Sequence, residues 1–390
     1  MIDFLIFYPS KARTIQLETV ILALHQRGKR VALLTTCERG PLHDHLAGEG
    51  IEVYVHAPPT ARSLFYYLRQ IHHLASFCRR HDVAVVFSNL QHANFIAAFA
   101  QFFTRARFVL FRHHFKFAFP GDEVRLPRSR TEGLFDHVIN RLGRTIVVPS
   151  KGVLMGMLRV ENADARRVQI VPYIYDFTQY GQPDADAVAQ IRADHPARLL
   201  LVMSSRHIPY KRHRLAFQVF ADLIREGYDI RVLVLDDGPE RAELERFAQA
   251  QEISDRLTFL GFRRDFLDYL AAADLLVHPS LTEASSNVVK EVALLGRTAV
   301  VCDGVGDFSD YVEHGRTGYL VPRATDGSEI AGILRAVYDS PDALIDLGRE
   351  LHEEVLNRFQ ITDERVERYL ALARPARRRV GLRSRSARLR

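Results

Sequence analysis

Two carboxylates eight positions apart, Glu283 and Glu291, lie in the run His278-Pro-Ser-Leu-Thr-Glu-Ala-Ser-Ser-Asn-Val-Val-Lys-Glu291. An apolar segment ends at His278-Pro279, and Ser285, Ser286 and Asn287 are natural caps for a helix beginning there. The unpaired N–H groups of such a start, at Ser286, Asn287 and Val288, attract a phosphate together with the helix dipole. At about 1.5 Å per helical residue, the offset between the carboxylates spans roughly 12 Å. A nucleoside diphosphate sugar carries hydroxyls on both sides of its phosphates. Carboxylates flanking a phosphate-binding helix start can therefore accept hydrogen bonds from the sugar and from the ribose. Upstream, Arg206 and Lys211 share the loop Ser205-Arg-His-Ile-Pro-Tyr-Lys211, directly after another apolar run. Two cations there can neutralise a diphosphate leaving group, the main electrostatic demand of sugar transfer from such a donor. Taken singly, each of these pairs also fits an ordinary solvated helix or loop.

The elements that must hold these residues alternate along the chain. Phe4–Tyr8, Val31–Thr35, Val83–Ser88, Phe108–Phe111 and Ile146–Pro149 read as buried strands, with Leu17–Gln26 helical in its apolar spacing. A second series follows: Leu199–Ser204, Arg231–Asp236, Leu257–Leu260, Leu275–His278 and Ala299–Cys302, separated by helical segments such as Arg214–Glu226 and Glu240–Gln251. Such alternation implies parallel sheets with right-handed crossovers, so the chain is read as α/β with two Rossmann-like, doubly wound halves. Ligands bind beyond the C-terminal ends of parallel strands, so two such halves face one another across a cleft. The polar stretch Gln182–His195 is read as the join.

Composition bounds the function classes. At 390 residues the chain suits two domains, and 47% hydrophobic with 26% charged residues is ordinary globular usage. The longest apolar stretch, near Ala93–Phe103, is too short for a bilayer span, and the first residues read as a strand rather than a basic leader. Three cysteines without paired spacing suggest a reducing compartment and neither a zinc site nor a disulfide frame. A cytoplasmic protein is expected. Residues 1–180 hold 23 Lys and Arg against 14 Asp and Glu, whereas residues 181–373 hold 22 against 33. The last 17 residues add eight arginines and no acid. The basic half points to an anionic contact such as a membrane surface, and the tail to a disordered segment able to meet anionic lipid. Nucleic acid is the electrostatic equivalent for the tail but is not the expected partner.

The segment Val202–Val321 resembles the donor half of the family-4 glycosyltransferases, which have the GT-B fold. Arg206 and Lys211 match the family's "R…K" loop, and Leu233-Val-Leu-Asp-Asp-Gly-Pro239 resembles its "G-D-G-P" strand exit. Leu260-Gly-Phe262 followed by Tyr269-Leu-Ala-Ala-Ala-Asp274 resembles its "L-G…Y…A-D" stretch. Glu283 and Glu291 form its E-x7-E pair, and Gly304-Val-Gly306 with Gly315-Arg-Thr-Gly-Tyr-Leu-Val321 close the pattern. The resemblance implies that Glu291 bonds the donor ribose, Glu283 the transferred sugar, and Arg206 and Lys211 the diphosphate. It also implies retention of anomeric configuration and no metal or other cofactor. The Asp184-Ala-Asp186 triplet falls in the join and is read as structural. The sequence departs from the family at Asp236, commonly Gly, and at Ala284-Ser285-Ser286-Asn287, often a glycine-containing stretch.

The N-terminal half carries less. Its first strand exit, Tyr8-Pro-Ser-Lys-Ala-Arg-Thr-Ile-Gln16, has no glycine for close backbone approach, leaving the side chains of Lys11, Arg13 and Thr14 to make contacts. His113 stands at a strand exit, resembling a family histidine near the reacting sugar, with His114 beside it. The aromatic and basic run His113–Arg130 fits a membrane interface holding a lipid-linked acceptor. The expected domains are 1–178 on the acceptor side, a linker 179–196, a donor domain 197–353, a helix 354–373 returning to the first domain, and a tail 374–390. The expected activity is retaining transfer from a nucleotide sugar, UDP-linked in preference to GDP-linked, to a glycan or lipid-linked acceptor in surface polysaccharide or glycolipid synthesis. The alternatives are a GT-B sugar-nucleotide epimerase or hydrolase, and a non-catalytic polyanion-binding module.

Overall fold

The computed structural model describes residues 1–57, 63–113 and 130–374. The first sheet comprises β1 (Ile2–Tyr8), β2 (Val31–Thr35), β3 (Glu52–Val55), β4 (Val83–Asn89), β5 (Arg107–Phe111), β6 (Ile146–Val148) and β7 (Val168–Ile170), in the order β3-β2-β1-β4-β5-β6-β7. The second comprises β8 (Leu199–Ser204), β9 (Ile230–Leu235), β10 (Leu257–Gly261), β11 (Leu275–His278), β12 (Thr298–Cys302) and β13 (Tyr319–Val321), in the order β10-β9-β8-β11-β12-β13. Every strand pairing within the two sheets is parallel. Helices cover both faces, which is why the central strands are unbroken Val, Ile and Leu runs rather than alternating ones. Leu5, Ile6, Leu199, Leu200, Leu201 and Val277 are all fully buried. The order reverses between β1 and β4 and again between β8 and β11, and a crevice opens at each reversal. No described helix is long and apolar enough to cross a membrane.

β3, β7 and β13 have no counterpart among the strands expected from sequence. β3 and β7 are partly exposed edge strands, and all three have only three or four residues, too few to show a hydrophobic period.

The expected linker 179–196 is instead largely a helix, Ala185–Asp194, belonging to the second domain. The Asp184 side chain caps it, accepting from Asp186 N at 2.9 Å, while Ile191 enters the second core and Arg192 pairs with Asp274. Its polarity is that of a surface helix with one buried residue. The crossing between domains lies earlier, at Tyr173–Phe177, where Tyr175 is fully buried.

The single helix expected over 354–373 is two, Ala343–Phe359 and Asp363–Ala371. Between them the chain crosses back beside the first crossing: Tyr175 N donates to Phe359 O and Ile361 N to Tyr175 O, each at 2.8 Å. The last helix buries Val366 and Tyr369 in the first domain's core, and the Tyr369 hydroxyl donates to Pro172 O at 3.0 Å. The basic tail from residue 375 and the segment 114–129 lie outside the described residues.

Candidate functional site

The C-terminal strand ends of the two sheets face a shared cavity of about 810 Å³. The first domain contributes Thr14, Gln16, Asn89 and His113, and the second Arg206, Lys211, Glu283 and Ser285. Five of the residues expected from sequence, His113, Arg206, Lys211, Glu283 and Thr14, thus meet at one place.

Glu283 follows β11 and is clamped by two donors. Lys211 Nζ bonds one carboxylate oxygen, and His278 Nε2 reaches the same oxygen at 2.7 Å. Burial pushes the Glu283 carboxyl up, but Lys211 and the His278 hydrogen bond outweigh it and hold the group at about 2. Burial keeps His278 neutral, so its Nε2–H donates. The backbone opposite is equally constrained. A Cβ on Gly306 would lie 2.8 Å from that of Glu283, and φ there is +55°, so glycine is required.

The following helix, Asn287–Leu294, begins at Ser286, whose side chain makes no capping bond. The side chain of Asn287 is turned away from the cavity, its Oδ1 accepting from the Tyr175 hydroxyl at 2.9 Å. Val288 packs into the core, so Ser286, Asn287 and Val288 offer a ligand their backbone N–H groups rather than side chains. Glu291 sits a turn further along, outside the cavity lining, and its carboxylate has no hydrogen bond or ion pair among the described residues. Burial pushes its pKa up to about 7, against the pull of Lys290. The pair is therefore split: one carboxylate anionic and held, the other poised between charged and neutral.

Arg206, on the loop after β8, is exposed on the cavity wall and pairs with no carboxylate among the described residues. Nearby, the turn Asp236-Asp237-Gly238 holds φ +76° at Asp236, the position where the family commonly has Gly. Aspartate tolerates that conformation, and its Oδ1 accepts from Asp237 N at 2.8 Å.

On the opposite wall, His113 bonds Asn89 Oδ1 at 3.0 Å and the Tyr173 hydroxyl. The amide oxygen only accepts, so Nε2–H donates to it, while Nδ1 shares the other hydrogen bond with the tyrosine hydroxyl. The preceding Arg112 is buried and bonds Asn140, Asp136 and Glu161, pinning the β5 exit. Lys11 and Arg13 do not reach the cavity. Lys11 pairs with Glu38, and Arg13 with the fully buried Glu18, which also accepts from Thr14 N. Only Thr14 of that trio lines the cavity, together with Gln16, whose buried Oε1 has no partner among the described residues. His114 lies outside the described residues.

Sequence reading missed Lys290 and Asp307. Lys290 is fully buried, 2.9 Å from Asp307, and also bonds Ser285 Oγ at 2.8 Å and Ser286 O at 3.1 Å. Its ammonium lies over the rings of Phe359, Tyr311 and Tyr175 at 4.2, 4.9 and 5.7 Å. The available signal was a lysine on the apolar face formed by Val288, Val289, Val292 and Ala293. Among the described residues no three His, Cys, Asp or Glu side chains are grouped to hold a metal ion.

Residues 188–353 match the family model of glycosyl transferases group 1, and residues 15–173 that of the glycosyl transferase 4-like domain. The chain is 28% identical over 228 residues to the alpha-D-kanosaminyltransferase of Streptomyces kanamyceticus, covering 55% of this chain and 58% of that protein. It is 26% identical over 195 residues to the N-acetyl-alpha-D-glucosaminyl L-malate synthase of Bacillus anthracis, covering half of each. The chain thus spans about half the length of the curated relatives it matches. In three dimensions it superposes on Anabaena Alr3699/HepE, solved with UDP-glucose, with a TM-score of 0.76 at 19% identity, covering 94% of this chain and 99% of that one. The sucrose-phosphate synthase of Thermosynechococcus elongatus superposes with a TM-score of 0.74 at 18% identity, covering 95% and 96%. Likeness at such identity establishes a shared fold.

Proposed function

The chain is a family-4-like glycosyltransferase of the GT-B fold, and from that premise we propose that it transfers a sugar from a UDP-sugar, with retention, to a glycan or lipid-linked acceptor in surface polysaccharide or glycolipid synthesis. One observation carries this reading: Arg206, Lys211 and Glu283 share one wall of the inter-domain cavity, beside a helix start that lacks a side-chain cap. UDP in preference to GDP is supported by the solved neighbours that hold UDP or UDP-glucose.

In this reading the diphosphate lies between Arg206, Lys211 and the N–H groups of Ser286 to Val288. It takes Lys211 from Glu283, and Glu283, still oriented by His278, accepts from the sugar hydroxyls. Glu291 accepts from the ribose. His113 exchanges Asn89 for a sugar hydroxyl. The C1–O bond to the diphosphate breaks with its electron pair leaving to phosphate, supported by both cations. The acceptor oxygen attacks from the same face and its proton passes to the departing phosphate oxygen, so no protein base is needed. The proposed chemistry uses no metal, and the basic first half and the arginine-rich tail of the sequence support a peripheral position at the cytoplasmic face of a membrane.

The test is thermal stabilisation of the full chain by UDP-glucose, UDP-N-acetylglucosamine and GDP-mannose. We expect one UDP-sugar to stabilise, with its apparent affinity reduced at least about tenfold in Lys211→Ala and Arg206→Ala, the loss of one charge-assisted phosphate contact. Silence towards all three at millimolar concentration overturns the reading in favour of a polyanion-binding module. Donor hydrolysis or epimerisation that proceeds unchanged whatever acceptor is supplied overturns transfer.

A further inference from the structure

We infer that Tyr180 is a positioning residue of the donor site: its hydroxyl is the protein's own hydrogen-bond donor to the ionised Glu291 carboxylate, and so sets how that carboxylate meets the ribose. Tyr180 follows the short helical turn Phe177–Gln179, just after the first crossing between the domains, and its ring packs against the second core. Its Oη is closed to solvent and has no hydrogen-bond partner among the described residues. Buried hydroxyls in that state are rare, because they forfeit their bonds to water without replacement. Glu291 shows the complementary lack. Its carboxyl feels burial and the charge of Lys290, but takes no hydrogen bond among the described residues.

Three observations bring the two groups together. The Tyr175 hydroxyl donates to Asn287 Oδ1 at 2.9 Å, and Glu291 stands one turn further along the same face of that helix. From Tyr175 a row of rings leads on: Phe177 stacks against it with centroids 5.3 Å apart, and Tyr180 leans on Phe177 at 5.9 Å. The negative charge of Glu291 pushes the Tyr180 phenol up, second only to burial, so the two lie within direct electrostatic reach. Chemistry then gives the direction. Lys290, beside Glu291 in sequence, is committed to Asp307, Ser285 and Ser286. Once ionised, a buried carboxylate needs donors, and Tyr180 offers one that water does not reach. Because Oη is sealed, a nucleotide does not bond it, and Tyr180 acts through Glu291. One carboxylate oxygen takes the phenol, which leaves the other turned to the ribose hydroxyls. This deepens the proposed function and rests on its placing of the donor ribose at Glu291.

The experiment is calorimetric titration of the full chain at about pH 8, where Glu291 is largely ionised. The probes are UDP and 2′,3′-dideoxyuridine diphosphate, which lacks both ribose hydroxyls. Tyr180→Phe keeps the ring and removes only a hydroxyl without a partner, so it should fold with a urea midpoint at or above that of the wild type. It should weaken UDP about tenfold, the worth of one hydrogen bond to a charged group, and leave the dideoxy analogue unchanged. In a Glu291→Ala background the same substitution should cost nothing further. A role confined to packing lowers both affinities together, so equal losses overturn the inference. So does a further loss in the Glu291→Ala background, which assigns Tyr180 a contact of its own, or a lowered urea midpoint, which shows the hydroxyl already bonded in the free chain. The remaining failures are distinct from one another. A wild-type chain that ignores UDP overturns the donor reading and the inference with it, whereas wild-type binding of UDP that Tyr180→Phe leaves intact overturns the inference alone.

Discussion

Glu283 and Glu291 leave one helix start with opposite acidity, because Glu283 has Lys211 and His278 as donors while Glu291 has burial and only the more distant Lys290. The sign of the consequence is definite. A carboxyl whose folded pKa is raised to about 7 is protonated in both folded and unfolded chains in acid. Between about pH 5 and pH 8 the unfolded chain ionises first, so the stability contribution present in acid is lost as pH rises. The unliganded protein should lose stability across that window by a component that Glu291→Gln removes, measured as the difference between the two chemical-denaturation series. Donor affinity should move oppositely. An ionised Glu291 accepts more strongly from ribose hydroxyls, so wild-type affinity rises with pH through 7 while that of the glutamine variant stays flat. Glu283, at about 2, stays charged throughout.

At the scale of elements, the donor loop is held from below by a buried ion pair. Ser285 donates to Asp307 at 2.5 Å, and Lys290 joins Asp307, Ser285 and Ser286. Removing one partner strands a charge that is almost wholly buried: Lys290→Met should cost about 3–5 kcal/mol in urea unfolding, typical of breaking a buried pair. The double variant Lys290→Met, Asp307→Leu should recover much of that stability. It should not recover donor affinity, because Ser285 has lost the carboxylate that orients it. Full recovery of both would show the pair to be packing alone. None of this was visible as a motif. The second crossing of the chain places Phe359 over Lys290, a contact that no local spacing records.

At the scale of the molecule, two of the contacts between the domains among the described residues bear on the site. One is the double crossing, where Tyr175 is bonded to Phe359 and Ile361 and also donates to Asn287 on the donor helix. The other closes the cleft side: Lys151 pairs with Asp310 at 3.3 Å, and Gly152 lies so close to the loop before Asp310 that a Cβ would stand 2.3 Å from Gly306 O. Gly306 in turn abuts Glu283, so the domain contact bears on the site. Gly152→Val should part the domains by about an ångström. Misplacement of that size costs up to roughly a hundredfold in turnover. Steady-state kinetics should show the loss in kcat, with donor affinity near wild type because Arg206, Lys211 and Glu291 all belong to the second domain. An unchanged kcat would mean that the contact does not set the catalytic geometry.

Local sequence determined the parallel cores and much of the donor wall. Strands such as Val31–Thr35, Leu199–Ser204 and Leu275–His278 are continuous β-branched and leucine runs bounded by polar loops, and that pattern leaves few alternatives to a sheet covered on both faces. Arg206, Lys211 and Glu283 sit on loops directly after such strands, so topology alone delivers them to one side of a sheet. Other features depended on residues distant in sequence. The Ala185–Asp194 helix is polar along most of its length and is held by Asp268 and Asp274, more than 70 positions on. The turning of Asn287 towards Tyr175 and of His113 towards Tyr173 follows from which polar groups folding brings within reach. A side chain's partner is chosen by competition among all groups near it in the folded state, and local spacing carries no record of groups a hundred residues away.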